Sequence, residues 1–142
     1  MMRQSKLASE PVSAAWPLQL LRALTLSVYF AAGVSKLTPS FLRGDALRQL
    51  EDVRLLEGPF WLWSRDFLGY RGVALLSCAF ELTLPCLLAW RFTRRPAVVA
   101  ALAFHAGISA SMPVYSFGVQ MAVLLLCFWT ERRCVSEQVV TP

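Results

Sequence analysis

Long apolar stretches separated by short polar ones dominate this chain. A helix needs roughly 20 apolar residues to cross a hydrocarbon layer about 30 Å thick, and these stretches approach that length. They predict four membrane-spanning helices, at about residues 16–37, 72–90, 96–111 and 115–130. The last two come from one apolar stretch, which we divide near residues 109–115 because Ser, Pro and Tyr occur there. Polar tails, residues 1–13 and 131–142, flank this membrane domain, residues 14–130.

The segment between the first two apolar stretches, residues 38–70, has a different pattern. Residues 46–56 have the spacing of a short amphipathic helix. The run that follows is rich in aromatic residues, which collect where a membrane meets water. These aromatic residues are Phe60, Trp61, Trp63, Phe67 and Tyr70. We therefore expect this loop to lie on the membrane surface as a cap.

The composition agrees with a membrane protein. Of the 142 residues, 56% are hydrophobic and 16% are charged, against roughly 25% charged in soluble domains. The predicted fold class is all-α: a polytopic integral membrane protein with a four-helix transmembrane bundle and an amphipathic, aromatic loop between its first two helices. The net charge of +5 comes from arginines at the ends of apolar stretches, where they contact lipid headgroups. The lipid bilayer is therefore an expected partner, and nucleic acid is not.

Basic residues in the loops predict the orientation of the chain, because cytoplasmic loops carry an excess of Lys and Arg. Seven basic residues fall on the side of the two termini, and four fall in the loop between the first two helices. The seven are Arg3, Lys6, Arg91, Arg94, Arg95, Arg132 and Arg133, and the four are Arg43, Arg48, Arg54 and Arg65. Both termini are therefore predicted to be cytoplasmic.

Two ionisable residues, Glu81 and His105, lie in the middle of apolar stretches. Each is nine residues, about 13.5 Å, from the start of its predicted helix, so both reach the membrane midplane. An ionisable side chain in hydrocarbon costs free energy and often marks a functional site. The equal depth predicts that the carboxylate and the imidazole share a proton, either as a link between helices or in a catalytic or ligand-binding site. Since the chain has no second histidine, we expect no metal site.

The first predicted helix carries a polar stripe. Arg22, Tyr29, Gly33 and Lys36 are 7, 4 and 3 residues apart, which keeps them within about 60° of arc. Gly33 would permit close approach of another helix. Arg22 either extends to the headgroups or reaches toward Glu81. Lys36 is either an anchor at the membrane boundary or a partly desolvated amine that acts as a general base.

A polar face on the fourth predicted helix completes the set of candidates. Ser116, Gln120 and Cys127 fall on one side of this helix. They either line a cavity shared with the first helix or form hydrogen bonds between helices. The catalytic candidates are Lys36, Glu81 and His105, and the residues expected to contact a cofactor are Arg22, Tyr29, Gly33 and Gln120.

Three stretches resemble a known family. YFAAGVSKLTPSFLRGDAL, residues 29–47, resembles the Y-F-x-A-G-x-x-K-L…W-x-x-G-x-x-L signature of the vitamin K-dependent γ-carboxylase membrane domain, with Phe41 at the place of the Trp. This domain is also called the horizontally transferred transmembrane (HTTM) domain. ELTLPCLLAWRFTRRPA and FHAGISASMPVYSFGVQM resemble its E-x-x-x-P-x-L-L and F-H…F-S-x-x-M segments. The order and spacing agree over about residues 29–129.

The resemblance implies a ligand and roles for the candidate residues. Lys36 matches the family lysine regarded as the base acting on reduced vitamin K, and Glu81 and His105 match polar positions in the same helices. A quinone or hydroquinone is therefore the expected cofactor. The chain has no counterpart of the family's preceding membrane helices and large lumenal domain, so we expect a function other than full γ-carboxylation.

A second resemblance is to DoxX-like proteins, four-helix membrane proteins of about this length. The chain shares with them Arg22, the G-x-x-K pair of Gly33 and Lys36, and Glu81. Several DoxX-like proteins are tied to quinone- or thiol-linked redox chemistry. The chain is therefore expected to be a small membrane oxidoreductase or redox partner that holds a quinone-like ligand in a polar cavity. The alternative is a non-catalytic membrane subunit or scaffold that binds a membrane or redox protein.

Overall fold

The structure is a computed structural model that describes residues 15–129. These residues form six α-helices and no strand, which confirms the all-α class. The helices are α1 Ala15–Ser35, α2 Pro39–Arg43, α3 Asp45–Asp52, α4 Pro59–Ala89, α5 Arg94–Ser111 and α6 Tyr115–Leu126. Along the chain, α1 packs on α4, α4 on α5 and α5 on α6, and α6 returns to contact α1. The short helices α2 and α3 pack against α4.

Two of these helices are long and apolar enough to cross a membrane. They are Trp16–Ser35 in α1 and Pro59–Ala89, which is the whole of α4. In α6, the apolar segment Ser116–Leu126 is shorter. Crossing of the membrane by α5 and α6, and so the full set of four crossings, stays a prediction.

Exposed aromatic side chains lie at both ends of these helices. Trp16 lies in the first turn of α1, and Trp129 follows α6 at the same end, since Arg22 of α1 contacts the carbonyl oxygen of Cys127. Trp90 follows α4, which runs parallel to α6 because short loops join both helices to α5. At the other end, Trp63 and Phe67 are exposed in α4, and their rings stack with centroids 5.8 Å apart. Aromatic residues at two levels are typical of helices that meet both membrane interfaces.

The helix α4 is kinked at Gly69, where φ is 68° and ψ is 166°. Only glycine adopts this conformation readily. The kink separates an aromatic arm, residues 59–68, from residues 70–89. The arm packs on α5 at Gly107, where an added Cβ would lie 2.8 Å from the ring of Phe60. The aromatic run that was expected to be a surface loop is therefore helical, and the helix begins at Pro59 rather than near residue 72.

The short helices after α1 are defined by their caps. The Thr38 hydroxyl accepts a hydrogen bond from the backbone N–H of Phe41 at 3.3 Å, and Pro39 fits the first turn of α2. Gly44 ends α2 and starts α3 with φ at 87°. A Cβ at this position would lie 2.7 Å from the backbone of Tyr70, so α2 and α4 meet closely only because the residue is glycine.

Two apolar clusters lie along the inner face of α4. One includes Leu84 and Leu88 and packs against α1, α5 and α6 through Tyr29, Val98 and Leu125, among others. The second lies under α3 and consists of Leu47, Leu56, Trp61 and Ala74. The positions on α4 between these clusters are therefore enclosed by apolar packing on both sides.

Candidate functional site

Glu81 lies on the inner face of α4, between the two apolar clusters. The buried positions of this face recur every three or four residues, as expected for a helix with one packed side, and they are Ala74, Cys78, Glu81, Leu84 and Leu88. The ammonium of Lys36 donates a hydrogen bond to Oε2 of Glu81 and forms an ion pair with it. The Glu81 side chain is 7% exposed and that of Lys36 is 27% exposed. The pair can therefore be reached only from the side of Lys36.

The end of α1 brings Lys36 to this position. Gly33 allows close packing on α4, because a Cβ there would lie 2.8 Å from the side chain of Leu82 and 3.1 Å from its backbone nitrogen. The thiol of Cys78, one turn before Glu81, contacts the carbonyl oxygen of Gly33 at 3.6 Å. The ring of Phe41, from α2, lies 5.8 Å from the Lys36 ammonium, within the range of a cation–π interaction.

Tyr29 and His105 form a second polar pair. The Tyr29 hydroxyl is 2.7 Å from Nε2 of His105, and the tautomer of the imidazole decides which group donates. The two residues are 2% and 5% exposed. Nδ1 of His105 is buried and has no hydrogen-bond partner among the described residues. Such an unpaired buried nitrogen costs free energy, and a ligand or a water molecule would remove that cost.

Aromatic rings and a cavity surround His105. The rings of Phe104 and Phe117 each lie with their centroids 5.7 Å from the imidazole. A cavity of about 300 Å³ between α5 and α6 includes His105 in its wall. Its lining is Leu102, His105, Ala106, Ser109, Gly118, Val119 and Ala122.

The two polar pairs interact electrostatically. The negative charge of the Glu81 carboxylate interacts with the Tyr29 phenol, and the positive charge of the Lys36 ammonium interacts with the His105 ring. These four side chains therefore form one group, which we call the polar cluster: Tyr29, Lys36, Glu81 and His105. The cluster joins α1, α4 and α5, and its side chains are buried except for the partly exposed Lys36.

Comparison with protein families decides the family of this chain. The family model of the HTTM domain matches residues 1–132. This chain belongs to the HTTM domain family. The match confirms the resemblance noted from the sequence, whereas the relation to DoxX-like proteins stays a prediction. No curated protein and no solved structure matches the chain.

The pairing within the polar cluster of this HTTM domain differs from the expected one. Glu81 and His105 were expected to share a proton, directly or through one water, but Glu81 binds Lys36 and His105 binds Tyr29. The flexible side chain of Lys36 extends from the end of α1 to the depth of Glu81, and an ammonium is a stronger partner for a carboxylate than a neutral imidazole. The phenol of Tyr29, two turns earlier, is then at the depth of His105.

Arg22 lies outside the polar cluster. Its Nε and Nη2 donate hydrogen bonds to the carbonyl oxygen of Cys127 at 3.1 and 2.9 Å, and its guanidinium lies 5.8 Å from the Phe128 ring. Arg22 is 14 residues before Lys36, about 21 Å along the helix. Arg22 therefore links α1 to the end of α6. One of the two expectations was that Arg22 reaches toward Glu81, and this expectation was wrong.

Gln120 also lies away from the polar cluster. The buried side of α6 contains Met121, Leu125 and, just beyond the helix, Phe128, whereas Gln120 and Ser116 are exposed. The polar face predicted for this helix of the HTTM domain is thus turned outward. Gln120 was expected to contact a cofactor in the interior, and its exposed position does not support this expectation.

Three further residues near the polar cluster were missed or undervalued from the sequence. Cys78 was expected to be an apolar filler, although its position one turn before Glu81 could have placed it beside the same site. Phe41 was noted only as a substitute for Trp in the family signature. Pro85 lies four residues after Glu81 and cannot donate a backbone hydrogen bond to the Glu81 carbonyl, which weakens α4 next to the carboxylate.

Proposed function

We propose that this HTTM protein binds a quinone-like ligand at its polar cluster and moves a proton at a ligand oxygen, as part of quinone- or thiol-linked redox chemistry. The observation that supports the proposal is the ion pair of Lys36 and Glu81 inside an apolar helix assembly. Such a pair costs free energy through desolvation, so it is weak evidence for a purely stabilising role. Ionisable groups at membrane depth are functional candidates by default.

The pair can supply both a hydrogen-bond donor and a base. With its proton, Lys36 donates a hydrogen bond to a ligand oxygen while Glu81 balances the charge. In an apolar site, the proton can also pass from Lys36 to Glu81, because a neutral amine and a neutral carboxylic acid require no solvation of charge. The amine then accepts a proton from a hydroxyl group of a hydroquinone. The partial exposure of Lys36 leaves it accessible to such a ligand.

The proposal is tested first by looking for the ligand. The purified protein is extracted with organic solvent, and quinones are identified by mass spectrometry. Binding of a short-chain quinone is then measured by quenching of tryptophan fluorescence, for which the chain has five tryptophans. A quinone that co-purifies, together with saturable binding, supports the proposal. Absence of both contradicts it.

Variants of Lys36 test its role in proton transfer. We expect Lys36→Ala to lower turnover of a hydroquinone, measured as its oxidation by an added electron acceptor, at least tenfold. Lys36→Arg should preserve the ion pair with Glu81 but lose turnover as well, because a guanidinium stays protonated and cannot act as a base. Arg43→Ala is the matched control, since Arg43 is an exposed cation on the neighbouring helix α2 and its side chain is 67% exposed. Full turnover in Lys36→Arg would contradict the role of Lys36 as a base.

A second function is favoured by the contacts between members of the polar cluster. Lys36 and Glu81 pair with each other, and Tyr29 pairs with His105, so these contacts can link α1, α4 and α5 without any ligand. This arrangement would suit a non-catalytic membrane subunit that binds a partner protein. A stoichiometric partner that co-purifies with the chain, combined with no bound quinone, would favour this second function.

A further inference from the structure

Gln120 is a polar side chain on the outer face of α6. It is exposed, and the exposed residues around it on this helix include Phe117, Val119 and Val123, which are all apolar. Its amide makes no hydrogen bond to the residues that the structure describes. If α6 crosses the membrane, this amide is surrounded by lipid tails, which neither donate nor accept hydrogen bonds. A polar group without a partner in hydrocarbon costs free energy, so the position calls for a partner.

The depth of Gln120 follows from the packing of α6 on α5. A Cβ added at Gly118 would lie 2.5 Å from the hydroxyl oxygen of Ser109 and 4.0 Å from the carbonyl oxygen of His105. Gln120 is two residues, about 3 Å, further along α6. Because α5 and α6 are antiparallel, this step leads toward the depth of His105, which residue counting puts near the membrane midplane. A glutamine side chain is too short to reach the headgroups from there, unlike that of a lysine or an arginine.

The surface beside Gln120 is concave. Val119, its neighbour in sequence, belongs to the wall of the cavity between α5 and α6 and is 65% exposed, so the cavity is open beside the exposed face of α6. Three small residues contribute to the same wall: Ala106, Gly118 and Ala122. Small residues on a membrane helix let a second helix come close, and close approach brings polar side chains within hydrogen-bond distance.

We infer that the exposed face of α6 is an interface between two copies of this chain in the membrane, with the Gln120 amides of the two copies hydrogen-bonded to each other. An amide carries both a donor and an acceptor, so it is its own electrostatic complement. A two-fold axis along the membrane normal, beside Gln120, places the carbonyl oxygen of each amide against the amino group of the other. Two hydrogen bonds then form, and neither copy keeps an unpaired amide in lipid.

A second copy fits this face better than a protein of different sequence. A different protein would have to present a polar side chain of its own at the same depth, whereas a second copy does so by symmetry. The inference does not depend on the proposed quinone, because the polar cluster lies on α1, α4 and α5 and includes no residue of α6.

The test measures association of the full chain in lipid vesicles. Two pools, labelled at their amino termini with a donor and an acceptor fluorophore, are reconstituted together, and energy transfer is followed as the protein-to-lipid ratio changes. We expect saturable energy transfer from dimers. Gln120→Leu should raise the Kd about tenfold, as expected for the loss of two hydrogen bonds between membrane helices. Gln120→Asn keeps an amide and should associate more tightly than Gln120→Leu.

Gln19→Leu is the matched control for these variants. Gln19 is also an exposed glutamine in an apolar helix, but it lies three residues after Trp16, near the start of α1. Water and headgroups reach a side chain at this level, so its amide needs no partner from another chain. Replacement of Gln19 should leave the Kd unchanged.

A disulfide cross-link locates the contact. Val123 is one turn beyond Gln120 and is 60% exposed, so Val123→Cys should form a disulfide between copies at the same depth. Leu76→Cys on α4 is the control, because Leu76 is also 60% exposed but lies on another helix, and it should form none. Mass spectrometry of the cross-linked peptides distinguishes these disulfides from those of the native cysteines.

Four results would each overturn the inference. The first is energy transfer at the level of random encounters at every protein-to-lipid ratio. The second is an association that Gln120→Leu leaves unchanged, or a cross-link through Leu76→Cys instead of Val123→Cys. The third is a disulfide in cells between Val123→Cys and a protein of different sequence. The fourth is labelling of Gln120→Cys by an impermeant thiol reagent, which would show that this position is in water.

Discussion

The ion pair of Lys36 and Glu81 predicts an asymmetric response to substitution. Lys36→Met leaves the carboxylate of Glu81 buried, 7% exposed, without its partner, and we expect a loss of about 3 kcal/mol in the free energy of unfolding. Glu81→Leu leaves Lys36, which is 27% exposed and can turn its ammonium outward, so about 1 kcal/mol is expected. The double variant removes both charges, and it should lie within about 1 kcal/mol of the original protein.

These values predict that the two single losses together exceed the loss in the double variant by about 4 kcal/mol, which is the coupling energy of the pair. The measurement is reversible unfolding in mixed detergent micelles at pH 7, followed by tryptophan fluorescence. The pair of Arg43 and Asp45 is the control, since its side chains are 67% and 46% exposed and its coupling should stay below about 1 kcal/mol. The reasoning fails if the buried pair couples no more strongly than the control. It also fails if Glu81→Leu destabilises more than Lys36→Met.

Three further predictions concern the surface and the orientation of the chain. The Tyr70 hydroxyl donates to Glu51 at 2.5 Å and is the main cause that lowers the pKa of Glu51 from its usual 4.5. The stabilisation is therefore complete above pH 4.5 and is lost as the pH falls through the lowered pKa. Tyr70→Phe should reduce Tm at pH 7 and progressively less as the pH is lowered through that pKa, and an equal effect at every pH would contradict this. Gly44→Ala should cost about 2 kcal/mol or more in chemical unfolding, because φ is 87° and a Cβ would meet Tyr70 at 2.7 Å; a neutral result would refute the close approach. An impermeant thiol reagent should label Ser40→Cys from outside the cell. It should label Cys134, which is outside the described residues, only from the cytoplasmic side. Reversed labelling would refute the predicted orientation.

Much of the polar cluster followed from helical periodicity. The 3.6-residue period put Tyr29, Gly33 and Lys36 on one side of the first helix, and this side faces α4 and α5 in the structure. Counting from the helix ends put Glu81 and His105 in the interior, where both are less than a tenth exposed. Periodicity gives the direction and depth of a side chain, and these quantities depend only on the backbone.

The choice of partners did not follow from the sequence. Side-chain length decides it, because the long side chain of Lys36 reaches Glu81 from the end of a helix. The buried face of α6 was also misjudged, with Gln120 expected inside and Met121 found there. In a helix that is apolar all round, with a lipid environment expected outside it, polarity does not distinguish the packed side from the exposed one. The kink at Gly69 was missed because a lone glycine in an aromatic run does not reveal its φ angle.

The kink at Gly69 has a consequence for the membranes in which this protein can reside. A straight helix of 31 residues would be about 46 Å long, well beyond a hydrocarbon layer of about 30 Å. If α4 crosses the membrane, residues 70–89, about 30 Å of helix, match the thickness of the layer, while the bend turns residues 59–68 away from that direction. A Cβ at Gly69 would meet nothing within 4 Å, so the angle is held by the packing of the arm on α5 and on the apolar cluster of Trp61, and not by crowding at the bend itself. The length of α4 available to cross a bilayer is therefore set by the position of Gly69, and a bilayer much thicker than residues 70–89 would have to thin around the protein or break the contact of Phe60 with Gly107.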